Sequence, residues 1–284
     1  MTRPDGLLLV DKPPGITSHD AVAIVRRAQG TKKVGHAGTL DPMATGLLVM
    51  GIGRATRLLR FLGDLPKVYE GTMRLGIETT TLDADGEATR ETDVEVTEEE
   101  IRAAMAALVG NLMQTPPAYS AVKVGGTKLY DAARKGERLE AAPRPIHVAA
   151  FDLLGFDGRD AGFRVVCGSG TYVRVLAADV GAALGCGAHV TALRRTAIGP
   201  FDVTEAGPPD AEVDPEPIGR ALDHLPRVDL GHEEAVAAGH GRILGPAGID
   251  GPYGVFAPDG RPIGVWEDEG TKGRPLVVLP PLDA

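Results

Sequence analysis

One glycine-rich stretch, residues 35–49, constrains the fold of this chain more than any other segment. It places three glycines and Pro42 within twelve residues, directly ahead of an apolar run typical of a buried strand. Glycine allows positive φ or close backbone approach, whereas Pro42 fixes its own φ and biases Asp41 toward extended geometry. We therefore expect a tight, stiff loop that holds Asp41 and His36 beside the core. Such loops commonly carry catalytic groups, but a plain Asp-Pro turn is the alternative interpretation.

The length and composition limit the class of protein. A chain of 284 residues can form one large domain, or a main domain with a small one. No apolar run is long enough to cross a bilayer, and the N-terminal residues lack a signal-peptide core, so we expect no membrane association. Cys167 and Cys186 are isolated thiols, which favours buried structural cysteines in a reducing compartment. These features predict a cytoplasmic protein.

The charge is unevenly distributed along the chain. The net charge is −9, but residues 1–60 carry +5, residues 61–204 carry −5 and residues 205–284 carry −9. An acidic protein with a basic face still binds polyanions, because the local potential matters more than the total charge. Nucleic acid therefore stays among the candidate partners.

The segment before the glycine-rich loop predicts a strand and a helix. Residues 6–12 form an apolar run closed by a Pro-Pro-Gly turn, and Thr17 or Ser18 is a suitable helix cap, with acidic Asp20 in the first turn. Four basic side chains follow at the end of this helix and just before the loop: Arg26, Arg27, Lys32 and Lys33. They form either a solvated face or a phosphate-binding one, and their place beside the loop favours the two interpretations about equally.

Residues 67–76 alternate between apolar and polar side chains, as in a half-buried strand. Tyr69 lies in this strand. Its ring is either a core aromatic whose hydroxyl has a partner, or a flat face on which a nucleobase stacks.

The acidic, turn-rich residues 79–100 predict a surface loop. The spacing of Asp83, Asp85 and Glu87 suggests calcium, but the rest of an EF-hand loop is missing, so we exclude a metal site there. Thr97 and Glu100 have the spacing of a capping box that opens a helix.

Residues 115–147 predict a long projecting loop with a short helix. Prolines and glycines alternate there with basic residues, including Lys123 and Lys128, and with tyrosines. Such a mixture suits contacts to phosphates and exposed bases. A plain surface excursion is the alternative, although long loops in compact domains are more often functional or mobile.

The second half of the chain predicts three more strands, a helix and a small β-rich unit. Thr171 is placed to cap the helix, and Arg174 lies in its first turn, where a cation is unfavourable unless a carboxylate meets it. Residues 206–219 are rich in Pro, Gly and acid, as in a linker. Residues 220–284 hold one clear hairpin, around a Pro-Asp-Gly-Arg turn at 258–261.

Six segments together resemble the TruB family of tRNA pseudouridine synthases. They occur in family order, at residues 9–15, 35–46, 67–76, 116–121, 170–174 and 185–195. The resemblance implies isomerisation of uridine to pseudouridine in the T loop of tRNA, at tRNA position 55. It also implies a mixed α/β (α+β) fold around a twisted, mainly antiparallel sheet, with no cofactor and no metal.

The resemblance further implies a domain organisation. Residues 1–205 correspond to the catalytic domain, with an RNA-gripping insertion at about 115–147. Residues 206–219 correspond to a linker, and residues 220–284 to a small PUA-like RNA-binding module that here carries a strongly acidic balance. The expected partner is the T-arm stem-loop of tRNA. No feature indicates an obligate protein partner, so we expect a monomer.

The resemblance also assigns roles to individual residues. Asp41 matches the catalytic aspartate, and Arg174 matches the arginine that pairs with it; a planar guanidinium fixes the orientation of a carboxylate. Tyr69 matches the tyrosine that stacks on the target base. Tyr172 and Leu193 match positions that line the uracil pocket, and His36 matches the histidine that helps to hold the opened T loop. Lys123, Lys128 and the four basic residues before the loop are the candidate contacts to RNA phosphates.

Three hypotheses follow from the sequence. The first is the tRNA pseudouridine synthase, in which Asp41 attacks the ribose or the base, or removes a ribose proton. The second is a related synthase that acts on another RNA. The third is a non-enzymatic RNA-binding or RNA-folding protein in which Asp41 is only a turn residue.

Overall fold

The computed structural model describes residues 5–120, 122–137 and 139–279. The strands are β1 (Gly6–Lys12), β2 (Val34–His36), β3 (Thr45–Ile52), β4 (Lys67–Leu75), β5 (Ile77–Thr79), β6 (Ala88–Glu91), β7 (Gly110–Gln114), β8 (Lys123–Val124), β9 (Thr127–Lys128), β10 (Arg144–Asp157), β11 (Asp160–Cys167), β12 (Ala188–Ile198), β13 (Phe201–Asp202), β14 (Glu216–Pro217), β15 (Arg227–Asp229), β16 (Tyr253–Phe256), β17 (Pro262–Glu269) and β18 (Lys272–Val278). The α-helices are α1 (Ser18–Ala28), α2 (Leu59–Gly63), α3 (Glu98–Ala106), α4 (Leu129–Arg134), α5 (Val173–Ala183) and α6 (His232–Gly239). None of these helices is long and apolar enough to cross a lipid bilayer.

A ten-stranded sheet forms the body of the protein. Its order is β14-β1-β3-β12-β4-β11-β10-β7, with β13 beside β12 and β2 beside β3. The pairs are antiparallel except for β3 with β12, which run parallel at Thr45 and Gly46. The predicted α+β class with a mainly antiparallel sheet is confirmed.

The strand patterns explain which face of the sheet is buried. In β4, Met73 and Leu75 are fully buried while Arg74 between them is partly exposed. Helices α3 and α5 cover this face, and their apolar side chains share one core with the central strands. Helix α1 packs in a second core against β1 and β3. The loop between β2 and β3 contributes Leu40 and Ala44 to the first of these cores.

The helix starts follow their sequence signals, with one exception. Thr17 and Thr97 each accept a hydrogen bond from the backbone of the third helical residue, and Asp20 and Glu100 complete the predicted capping boxes. The prediction that Thr171 caps α5 is wrong. The helix begins one residue later, and no side chain caps it.

A four-stranded sheet, β15-β16-β17-β18, forms the smaller unit, and β16 with β17 is the predicted hairpin. Its apolar residues join those of β1 and β3 in a shared core. The segment that precedes it lies along β1, since Asp11 N donates to Gly207 O at 2.8 Å and β14 pairs with β1. Arg57 and Arg60 donate to the carbonyls of Val278 and Leu276. The smaller unit is therefore packed firmly against the large sheet.

Candidate active site

The loop between β2 and β3 is held rigidly from both sides. Leu40 N donates to Ser18 Oγ at 2.9 Å, and Ser18 Oγ donates to Leu40 O at 3.1 Å. The buried ammonium of Lys12 donates to Pro42 O at 3.2 Å. Gly46 has a φ of +100°, and a Cβ there would lie 2.2 Å from the carbonyl of Arg195, so only glycine fits. The stiffness expected from the sequence is thus built from several contacts to neighbouring elements.

Asp41 and Arg174 form an ion pair at the end of this loop. Arg174 Nε donates to Asp41 Oδ2 at 2.8 Å. The arginine side chain is 3% exposed, whereas that of Asp41 is 36% exposed. One carboxylate oxygen is therefore fixed by a buried cation while the group stays open to a substrate.

A second carboxylate, Asp83, orients Arg174 from behind. Arg174 Nη1 lies 3.1 Å from Asp83 Oδ2 and donates to Thr81 O at 2.5 Å, while Nη2 donates to Tyr119 O at 3.1 Å. All three guanidinium nitrogens are thus engaged. A guanidinium that is bound at every nitrogen has one orientation. Its hydrogen bond to Asp41 therefore fixes the orientation of that carboxylate as well.

The prediction that the acidic residues 79–100 form a surface loop is wrong for Asp83, whose side chain is buried. Its turn folds inward because Leu82 O accepts from Val190 N at 3.1 Å and Thr79 Oγ1 donates to Asp83 O at 2.7 Å. Leu82 has a φ of +63°, a strained value for a leucine, directly beside the two groups that bind Arg174.

Tyr69 lies in β4 with Arg195 against it. The guanidinium carbon of Arg195 is 5.9 Å from the centre of the tyrosine ring, and Arg195 Nη1 lies 3.5 Å from the hydroxyl oxygen. Burial raises the pKa of Tyr69, and the charge of Arg195 opposes that rise. The phenol is therefore protonated at neutral pH.

Arg195, which was not predicted as a site residue from the sequence, stabilises the wall of the cleft. Its side chain is 1% exposed and donates to Leu47 O at 2.8 Å and to Gly38 O at 3.1 Å. It therefore ties β12 to the start of the loop that carries Asp41. Its signal in the sequence was a polar residue at an inward position of β12, two residues after Leu193.

A cleft of about 280 Å³ joins these groups. Four of the predicted site residues line it: Asp41, Tyr69, Tyr172 and Leu193. Arg174 lies behind the wall, and the backbone N–H of Tyr172 is fixed by Gln114 Oε1 at 2.8 Å. The structure therefore brings a carboxylate, a phenol and an apolar side chain to one cavity.

His36 lies outside this lining. Its ring is 6.0 Å from that of His19 in an edge-on arrangement. Burial, and next the neighbouring His19, lowers the pKa of His36 from 6.5. The imidazole is therefore neutral at physiological pH.

The lowered pKa of His36 predicts a pH dependence of stability. Because the unfolded chain binds a proton at this residue more readily than the folded protein, the free energy of unfolding falls as the pH drops below about 6.5. The variant His36→Gln lacks this component. Chemical denaturation between about pH 7.5 and pH 5 should show the wild type losing stability relative to the variant. A stability difference that stays constant over this range would contradict the assignment.

The basic residues predicted to bind RNA lie at the surface. Arg26, Arg27, Lys32 and Lys33 are exposed, at the end of α1 and before β2, and Arg26 Nη2 also donates to Val34 O at 3.1 Å. Lys123 is exposed in β8. The side chain of Lys128 lies outside the described part of the structure.

Comparison with known protein families gives three consecutive matches. Residues 26–173 match the TruB family pseudouridylate synthase N-terminal domain. Residues 174–207 match the tRNA pseudouridylate synthase B C-terminal domain. Residues 225–280 match the tRNA pseudouridine synthase II C-terminal domain.

Individual relatives agree with these matches. The chain is 49% identical to the tRNA pseudouridine synthase B of Mycobacterium sp. (strain KMS), over 97% of this chain and 96% of the relative. It is 48% identical to that of Thermobifida fusca (strain YX), over 97% and 98%. Among solved structures, a chain of an H/ACA RNP bound to a substrate RNA containing 2′-deoxyuridine superposes with a TM-score of 0.74 at 26% identity, over 98% of this chain and 86% of that one. The chain therefore belongs to the TruB family of pseudouridylate synthases.

Proposed function

We propose that this protein is a tRNA pseudouridine synthase that converts uridine to pseudouridine in the T loop, at tRNA position 55. One observation carries the proposal. The Asp41 carboxylate, fixed by the buried Arg174, opens into the same cleft as the Tyr69 ring. The names of the curated relatives support tRNA as the substrate class.

The reaction needs an ionised carboxylate and a shielded cavity. The target base is stacked inside folded RNA, and flipping it out costs a few kcal/mol. The C1′–N1 bond then breaks, the uracil rotates, C5 bonds to C1′, and the C5 proton leaves while N1 gains one. Asp41 acts as nucleophile toward the ribose or the base, or removes a ribose proton. Arg174 keeps the carboxylate oriented throughout.

The other residues of the cleft hold the flipped base. The ring of Tyr69 offers a stacking face of about the size of uracil, and its neutral phenol donates or accepts a hydrogen bond. Leu193 and Tyr172 enclose the base from the side, which keeps water from the reacting carbon. His36, outside the cleft and neutral, is suited to contact the RNA that surrounds the extruded nucleotide.

We also propose a role for each part of the chain. Residues 1–205 carry the chemistry, with the insertion at about 115–147 contacting the far side of the RNA. Residues 206–219 connect them to the unit formed by residues 220–284. The firm packing of that unit on the large sheet favours one rigid body over two mobile ones, and the charge of −9 on residues 205–284 disfavours this unit as a contact for RNA phosphates.

A tritium-release assay tests the proposed function. In a T-arm stem-loop labelled with tritium at uridine C5, the new C5–C1′ bond displaces the label to water. The purified protein should release one label per target uridine without any added cofactor. Binding of the stem-loop without release would favour the non-enzymatic RNA-binding hypothesis, and release from a different RNA only would favour the second synthase hypothesis.

The exposed cations before the loop should dominate the salt dependence of RNA binding. Replacing Arg27, Lys32 and Lys33 with Ala should weaken binding and reduce the slope of log Kd against log salt by about 0.7–0.9 for each lost phosphate contact. Arg242→Ala with Lys272→Ala, in the acidic C-terminal unit, is the comparison variant. An unchanged slope in the triple variant, or an equal change in both, would remove this surface from the RNA-binding site.

A further inference from the structure

Buried cations around the cleft outnumber the carboxylates that pair with them directly. Four cations lie on its wall or directly behind it: Lys12, Lys67, Arg174 and Arg195. Among the described residues, the ion pairs of these cations are those of Arg174 with Asp41 and Asp83. The carboxylates of Asp20 and Asp64 act on Lys12 and Lys67 from beyond ion-pair distance.

Burying a charge without a paired opposite charge is unfavourable. A ligand that brings negative charge to such a group is therefore bound favourably. Arg195 already donates to the carbonyls of Leu47 and Gly38 and contacts the Tyr69 hydroxyl. Its donors are thus largely occupied.

Lys67 is different because it has donors to spare. Its side chain is 5% exposed and lines the cleft. Its ammonium donates to Gly63 O, and the structure records no carboxylate within ion-pair distance in the part of the chain that it describes. An ammonium has three N–H donors. Burial, followed by the charge of Arg195, lowers the pKa of Lys67, and the charge of Asp64 only partly opposes this.

The position of Lys67 relative to Tyr69 indicates what it binds. The two residues are separated by one position in β4, so their side chains lie on the same face, about 6.8 Å apart along the strand. This spacing is comparable with the separation of a nucleobase from the phosphate of its own nucleotide. The neighbouring lining is Gly168, Ser169 and Gly170, which leaves room for a ligand because it carries little side-chain bulk.

We propose that Lys67 binds a backbone phosphate adjacent to the extruded uridine, so that the cleft holds the nucleotide by its phosphodiester as well as by its base. This inference rests on the proposed function. The phosphate supplies the directly paired negative charge that Lys67 lacks among the described residues, and it reaches the cleft only when the nucleotide has left the stack. Lys67 therefore favours the flipped state of the RNA.

The test removes the cation and the phosphate charge separately and together. The proteins are wild type, Lys67→Gln and, as a matched loss of one positive charge, Lys272→Gln. The RNAs are T-arm stem-loops with a neutral methylphosphonate on the 5′ or the 3′ side of the target, each with a matching 2′-deoxy reference. Hydrogen bonds to charged groups contribute enough that Lys67→Gln should raise Kd about tenfold or more, while Lys272→Gln leaves it near wild type.

The double comparison separates a phosphate contact from a structural role. For one of the two methylphosphonate RNAs, the wild type should lose as much affinity as Lys67→Gln loses on normal RNA, and the two changes together should cause little further loss. Fully additive losses for both RNAs would overturn the proposal. If Lys67→Gln fails to fold, a wild type that binds both methylphosphonate RNAs as tightly as their references overturns it too. Absence of tritium release by the wild type on unmodified RNA would instead overturn the proposed function.

Discussion

Replacing Asp41 with asparagine is expected to lower pseudouridine formation by on the order of 10⁴-fold or more, while RNA binding persists. The amide keeps the size and one oxygen acceptor of the side chain, so Arg174 Nε still has an acceptor near 2.8 Å. It loses the negative charge that serves as nucleophile or base. Single-turnover tritium release and a parallel Kd measurement give the two quantities.

The control for this variant is Asp64→Asn. Asp64 accepts from Ser169 Oγ at 3.3 Å near the cleft but does not line it. Its loss of one negative charge should leave turnover within a small factor of wild type. Retained turnover in Asp41→Asn would remove Asp41 from the chemistry, and lost RNA binding would show that the loop had changed shape.

The variant Arg174→Met should cause the largest loss of stability. It leaves the buried Asp83 without its cation, and it removes the hydrogen-bond donors of the carbonyls of Thr81 and Tyr119. Breaking a buried ion pair from one side destabilises a protein by about 3–5 kcal/mol. Denaturant titration measures this loss, and turnover should fall as well because Asp41 loses the group that orients it.

A double-mutant cycle shows whether the loss comes from the charge network. Adding Asp83→Asn to Arg174→Met removes the unpaired buried anion, so the double variant should be more stable than Arg174→Met alone. Arg174→Lys keeps the charge but lacks the planar fork, and it should retain more stability than activity. A double variant as unstable as the sum of its single changes would contradict the shared network.

The sequence was sufficient to place the residues that lie on distinctive local patterns. The glycines and Pro42 marked the loop of Asp41, and the unfavourable position of Arg174 in the first turn of a helix suggested a carboxylate partner. The alternation of β4 placed Tyr69 on a half-buried strand. In each case local chemistry restricted the backbone or the charge strongly enough to be informative.

The residues that sequence analysis missed depend on distant contacts. Nothing local separates Asp83 from Asp85 in an acidic turn, and Asp83 becomes buried only because its backbone bridges to Val190 in β12. Arg195 likewise donates to the carbonyl of Leu47 only when β12 lies beside β3. Long-range strand pairing decides these positions, and a single sequence carries little information about it.

The prediction of the N-cap of α5 is wrong for a related reason. Thr171 has the residue type that favours an N-cap. However, Tyr172 occupies the N-cap position, and its backbone N–H donates to Gln114 Oε1 of β7. A tertiary hydrogen bond, which the local pattern does not indicate, therefore holds the residue at which the helix begins.

The central claim is that this chain isomerises one uridine of tRNA through Asp41, and nucleotide-resolution mapping of pseudouridine tests it most directly. Bulk tRNA that lacks the modification is incubated with the wild type or with Asp41→Asn, and every new pseudouridine is located. We expect new pseudouridine at one T-loop position across many tRNAs with the wild type, and none with the variant. No new pseudouridine with the wild type, or the same pattern with Asp41→Asn, would contradict it.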